Sequence, residues 1–229
     1  MEIKQIKQML AHESNFTKSR KQDIKYIVVH YTANNGDTAT NNGKYFSQAN
    51  RNASAHYFVD ENEVVQSVLD ENTAWHCGAK TYKHDKCRND NSIGVEMCSE
   101  KDQNGQYYIN QATQNKAIEV VKWLMKKYSV PLENVLRHYD VTGKLCPEPF
   151  VRNQVQWLDF KGKLTENITE EEKEMLYNKI EDMPEWAKPT IQKLVKKGAL
   201  VGNEKGELTL TDIMLRVFVA HDRMGVYDN

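Results

Sequence analysis

The stretch KYIVVHYT, Lys25–Thr32, is rich in β-branched and aromatic residues and carries a histidine near its end. Such side chains fit a pleated surface covered on both faces, so the run reads as a buried strand ending in His30. SIGVEMC (Ser92–Cys98) has the same character. Between them, SAHYFVD (Ser54–Asp60) and EVVQSV (Glu63–Val68) flank a short polar link and predict a hairpin. Helical segments alternate with these strands. Asp37–Asn50 is helix-like, anchored by Tyr45 and Phe46. Gln111–Tyr128 places Ile118, Val121, Leu124 and Tyr128 at helical spacing, which gives an amphipathic helix lying on a sheet, and Pro131 punctuates its end. VLRHYD (Val135–Asp140) is a short strand or strand end, followed by the loop VTGKLCPEPF and a helix near Val151–Lys161. Residues 1–24 are polar and read as a surface wrap. Strands interspersed with helices imply an α/β layered fold.

From about Leu164 the composition changes. TEEEKE is an acidic run that reads as a solvated helix or linker. PEWAKPTIQKLVKKG and TDIMLRVFVAHDRMG then read as two helices, with Gly198 stopping the first and Thr211 starting the second. Leu194, Val195, Met214, Leu215 and Phe218 supply their apolar faces. The expected organisation is a larger domain over residues 1–163 and a small helical module over 164–229.

A formal net charge of -1 gives no basic stripe, which argues against a nucleic-acid partner. The apolar runs fall far short of the ~20 residues that span a bilayer, so no membrane insertion is expected. MEIKQIKQMLAHESN has no apolar core and no small-residue cleavage site, so it is not a secretory signal. The chain is therefore expected to be made in the cytoplasm, and to reach any external substrate only after release. Cys77, Cys87, Cys98 and Cys146 form no CxxC pair, which favours free thiols or a metal ligand over disulfides.

His30 at a strand end, His138 in the second strand-like segment and Cys146 in the following loop are the candidate metal ligands. Two imidazoles and a thiolate are donors that zinc prefers, and three protein ligands leave a fourth position open for water. Taken singly, each residue also fits a core histidine or a small buried thiol.

VVHYTA, SAHYFVDENEVVQ, TAWHCG, NSIGVEM and RHYDVTGKLCP occur in the order found in the type 2 N-acetylmuramoyl-L-alanine amidases, a family of phage lysozyme-type, muropeptide-recycling and peptidoglycan-recognition proteins. The chain resembles that family over about Ile24 to Trp157. The resemblance implies a mixed central β-sheet flanked by helices, with Zn2+ at one edge of a groove for peptidoglycan. It also implies hydrolysis of the amide between N-acetylmuramic acid and L-alanine, as in a phage or prophage endolysin. It maps the zinc ligands onto His30, His138 and Cys146, the last just before Pro147. Members that only bind peptidoglycan have typically lost this thiolate, so Cys146 favours an enzyme over a non-catalytic binding module.

By the same resemblance, Lys144 is a catalytic lysine that stabilises the oxyanion. Glu96 is the general base, since a carboxylate within a strand is costly unless it faces a groove. His56 is expected to line the groove and Tyr57 to pack, because they point to opposite strand faces. Trp75 and His76 are expected along the substrate groove, the ring against sugar and the imidazole on a peptide carbonyl. A cysteine hydrolase using Cys98 or Cys146 as nucleophile is the third alternative. The helical tail faintly resembles a surface-layer-homology repeat, which suggests cell-wall binding or self-association into a homo-oligomer.

Overall fold

A computed structural model describes residues 6–165, 177–203, 206–223, 225 and 227. The chain divides into two compact units, Met1–Glu166 and Asn167–Asn229.

The first unit is built on six strands: β1 (Ile6–Gln8), β2 (Tyr26–Tyr31), β3 (Tyr57–Val59), β4 (Val64–Gln66), β5 (Ser92–Met97) and β6 (Val135–Arg137). Their spatial order is β1-β4-β3-β5-β2-β6. Only the β3–β4 hairpin is antiparallel; every other neighbouring pair is parallel. The sheet is therefore mixed, with β5 at its centre between β3 and β2, and the two long apolar runs β2 and β5 both inside it. Five helices accompany it: α1 (Ala39–Phe46), α2 (Gln111–Tyr128), α3 (His138–Thr142), α4 (Glu148–Arg152) and α5 (Gln154–Thr165). The expected α/β class, a mixed sheet flanked by helices, is what the chain adopts.

Strand alternation divides the side chains between two layers. Ile27, Val29, Tyr57, Val59, Ile93, Val95 and Met97 form the main core with Ile118, Val121 and Leu124 of α2 and Phe150, Trp157 and Phe160 of α4 and α5. Helix α2 starts at Asn110, whose side chain accepts the Thr113 N–H, and stops at Ser129, which adopts φ 53°. The other face of the sheet carries smaller clusters, one of Tyr26, Val28, Cys77, Cys87 and Val141, and one of Ala39, Ala55, Phe58 and Val65. His30 and Glu96 belong to this second face because they are in phase with Val28 and Gly94.

Several expectations shift in detail. The N-terminal segment is not merely a surface wrap: Ile6–Gln8 pairs with β4 as an edge strand. Helix α1 is shorter than Asp37–Asn50, because Thr38 caps its start and the chain turns at Ser47. Phe46 stacks on Phe58 with centroids 5.3 Å apart, whereas Tyr45 is 49% exposed and meets only the edge of Phe46 and the Arg51 guanidinium. Strand β6 ends at Arg137, and His138 opens α3 instead of extending the strand. The closing helix is two helices broken at Asn153, and α5 carries Leu164 into the core.

In the second unit, helices α6 (Lys188–Lys196) and α7 (Asp212–Arg223) share a core of Tyr177, Met183, Ile191, Leu194, Leu210 and Leu215. Gly198, at φ 70°, follows the end of α6, and the Thr211 hydroxyl accepts the Met214 N–H at the start of α7. The acidic TEEEKE run lies outside the described residues.

Candidate metal centre

His30, His138 and Cys146 come from three elements distant in sequence, yet each offers a ligand atom within 4.8 Å of the other two. Strand β2 delivers His30 at the carboxyl end of the sheet. Its parallel neighbour β6 ends at Arg137, and the turn into α3 swings His138 beside it, with ring centroids 4.7 Å apart. Arg137 makes that turn rigid: its guanidinium clamps Asp140, whose carboxylate also accepts the Arg137 backbone N–H. The loop after α3 then returns so that the Tyr139 N–H bonds the Cys146 carbonyl, and Cys146 Sγ lies 3.7 Å from His30 Nδ1.

All three groups are buried. Burial, reinforced by His138, His76 and Lys144, holds the His30 pKa well below the ordinary histidine value. Burial, with Lys144 and His76, brings His138 down to about 3. Burial pushes the Cys146 thiol up to about 12; Glu96 adds to this, while the Tyr31 backbone N–H and Lys144 oppose it. His138 Nδ1 has no hydrogen-bond partner although it is fully shielded. Burial keeps both imidazoles neutral, and the unpartnered His138 Nδ1 beside the converging donor atoms of His30 and Cys146 is a polar atom that a cation could satisfy. The donor set of two nitrogens and one sulfur fits a tetrahedral transition metal with one open position.

Glu96 faces the same space. Its Oε1 lies 3.8 Å from His30 Nδ1, and its Oε2 is buried without a partner. Burial raises its pKa to about 8, with Asp37 adding and Lys144 opposing. A carboxyl that titrates near neutrality beside a candidate metal pocket is equipped to take and return a proton. Lys144 is exposed on the loop between His138 and Cys146, and its charge acts on all four of these groups.

Two hollows adjoin the cluster. One, of about 440 Å³, is lined by Thr32, Asn34, Asp37, Asn41, Tyr45 and Glu96 among others. Another, of about 640 Å³, includes Asn52, Trp75, Asn89, His138, Thr142 and Lys144. A larger one, about 1080 Å³, runs along residues 19–25 and Lys127 and contains none of the candidate residues, so size alone does not mark the site.

Of the remaining candidates, His56 and His76 are placed differently from expectation. Trp75 does border the second hollow, its indole N–H donating to Thr17 Oγ1. His56 does not line a groove. It is fully buried, its Nδ1 accepts the Gly94 N–H, and its Nε2 abuts Arg20 and the Asn72 carbonyl. Alternation rightly put it on the opposite face from Tyr57, but the loop carrying Trp75 and His76 covers that face. Tyr57 packs in the core, as expected, and donates to Asp70. His76 touches the edge of the hollow, yet both its ring nitrogens are engaged inside the protein, with His30 and Ser92. It has no free nitrogen for a peptide carbonyl. The sequence reading passed over Ser92 and Gly94; a glycine inside a strand is the signal of a close approach, and His76 is what approaches.

A sequence profile described as N-acetylmuramoyl-L-alanine amidase matches residues 20–149, more than half of the chain and all of the cluster. This protein belongs to the type 2 N-acetylmuramoyl-L-alanine amidase family. Among curated relatives, the amidase CwlL of Bacillus licheniformis is 37% identical over 156 residues, which are 62% of this chain and 41% of that protein. A probable N-acetylmuramoyl-L-alanine amidase of the same species is 36% identical over 173 residues, 66% of this chain and 46% of its own. The chain thus spans less than half the length of either relative. The solved structure of PlyL matches with a TM-score of 0.59 at 29% identity, covering 72% of this chain and 99% of that one. Within this amidase family fold, the His30–His138–Cys146 cluster lies at the carboxyl ends of parallel β2 and β6, where open α/β sheets commonly bind ligands.

Proposed function

We propose that the first unit is a zinc-dependent peptidoglycan amidase that hydrolyses the bond between the lactyl carbonyl of N-acetylmuramic acid and L-alanine of the stem peptide. The observation that carries it is the convergence of two neutral imidazoles and a buried thiol, with Glu96 beside them, in a chain of the amidase family. His30, His138 and Cys146 would hold the ion. Zinc held there would supply Lewis acidity and would bring water towards a pKa of ~7. Glu96 takes the proton of the attacking water as the water oxygen bonds the carbonyl carbon. Lys144 offsets the negative charge that develops on the carbonyl oxygen. When the C–N bond breaks, Glu96 returns the proton to the departing alanine nitrogen, and the products are a free amine and a lactyl carboxylic acid, which gives its remaining proton to solvent at neutral pH.

A thiol nucleophile fits less well. Nucleophilic cysteines have depressed pKa values, and burial raises both Cys98 and Cys146. A released endolysin, acting on the wall from a chain made in the cytoplasm, suits the likeness to PlyL and to the Bacillus amidases. Among the described residues, no helix is long and apolar enough to cross a membrane. For residues 164–229 we propose cell-wall attachment, self-association into a homo-oligomer being the competing outcome; sedimentation of full-length and truncated chain with purified walls, paired with mass measurement, separates them.

Mass spectrometry of digested peptidoglycan tests the activity. New L-alanine amino termini and intact glycan chains are expected, lost on chelation or in Cys146→Ser. Reducing sugar ends as the main product, or full activity of the Cys146→Ser protein without metal, would refute it.

A further inference from the structure

We infer that His76 and Ser92 hold His30 in the one tautomer that leaves its Nδ1 bare for a metal ion. This rests on the metal reading of the cluster. It concerns residues that touch neither metal nor substrate.

Hydrogen-bond direction decides the tautomer. Ser92 Oγ lies 2.6 Å from the Arg88 carbonyl oxygen, which can only accept, so the single hydroxyl proton points there. The same Oγ is 3.1 Å from His76 Nε2 and must therefore accept, which puts the His76 proton on Nε2. His76 is left with a bare Nδ1, 3.0 Å from His30 Nε2. His30 donates into it, carries its own proton on Nε2, and presents a lone pair at Nδ1. That Nδ1 is the atom 3.7 Å from Cys146 Sγ and 3.8 Å from Glu96 Oε1. One backbone carbonyl thus sets, through a hydroxyl and an imidazole, which nitrogen of His30 faces the pocket.

The fold makes room for this relay at Gly94. A Cβ there would stand 2.6 Å from His76 Cγ and 2.8 Å from its Nδ1, closer than carbon atoms pack. The Asn89 side chain accepts the His76 backbone N–H, which fixes the main chain from which the ring projects onto the β5 backbone at Gly94. His76 is a positioning residue. Ligand histidines generally depend on such a partner, whose loss weakens metal binding roughly 10–100-fold.

Two variants separate the relay from packing. Asparagine can place its amide oxygen where His76 Nδ1 accepts, whereas leucine fills the buried space without an acceptor. Zinc affinity, measured by competition with a chromogenic chelator, is expected within a few-fold of wild type for His76→Asn and about 10–100-fold weaker for His76→Leu. If leucine is tolerated as well as asparagine, or both lose affinity equally, the relay is wrong. On metal-free wild-type protein, long-range nitrogen–proton correlation spectra should show His30 protonated at Nε2, a measurement that depends on no variant folding. Protonation at Nδ1 would overturn the relay and leave the metal reading standing. A wild-type chain with no zinc affinity would overturn both.

Discussion

Replacing Glu96 by glutamine should make metal-free protein more stable at alkaline pH and leave that gain absent in acid. Burial lifts this carboxyl from its ordinary 4.5 to about 8, so the folded chain binds its proton more tightly than the unfolded chain does. A raised folded-state pKa on an acid favours folding while the group is protonated. The contribution is full below pH 4.5 and disappears as pH rises through 8. Integrating between these two values, wild type should lose about 4 kcal/mol from pH 5 to pH 9 through this one group, as an upper figure. Glutamine cannot ionise, so its stability should lack that slope. The pH-independent effects of the substitution cancel in the difference between the two pH values. Urea unfolding of chelator-treated protein, followed by tryptophan fluorescence, reads it, since Trp75, Trp123 and Trp157 all lie in the first unit. Identical pH dependence for the two proteins would refute the claim that burial suppresses Glu96 ionisation. It would also remove the physical basis for a proton-shuttling role near neutrality.

Lys144→Met should keep stoichiometric zinc and wild-type stability, because the side chain is exposed, while kcat on cell walls falls by about 10²–10³-fold; a loss of only a few-fold would remove it from the mechanism. Asp70 is buried and accepts from Tyr57, Tyr128, Gln66 and Lys127, so Asp70→Ala should cost about 3 kcal/mol in urea unfolding with kcat unchanged. Phe150, fully buried against Trp157 and Phe160, ties α4 and α5 to the core. Phe150→Ala should cost about 3–5 kcal/mol, and a cost under 1 kcal/mol would contradict that packing.

Local chemistry in the sequence determined much of this. The β-branched runs at Lys25–Thr32 and Ser92–Cys98 read as buried strands, and the apolar spacing of Gln111–Tyr128 reads as a helix lying on a sheet, which is how they fold. Period-two alternation put Glu96 on the opposite face from Val95 and Met97, and Tyr57 opposite His56. These properties depend on neighbours a few residues apart, so the chain displays them directly. What lies on top of a face is another matter. His56 and His76 looked alike as groove histidines, but a loop folds over one and a serine and a second histidine occupy both nitrogens of the other. The meeting of His30, His138 and Cys146 is likewise a product of the parallel β2–β6 pairing and the turn at Arg137. Only tertiary structure decides such things, because hydrogen-bond direction, burial and the distance between donor atoms depend on segments that the sequence keeps far apart.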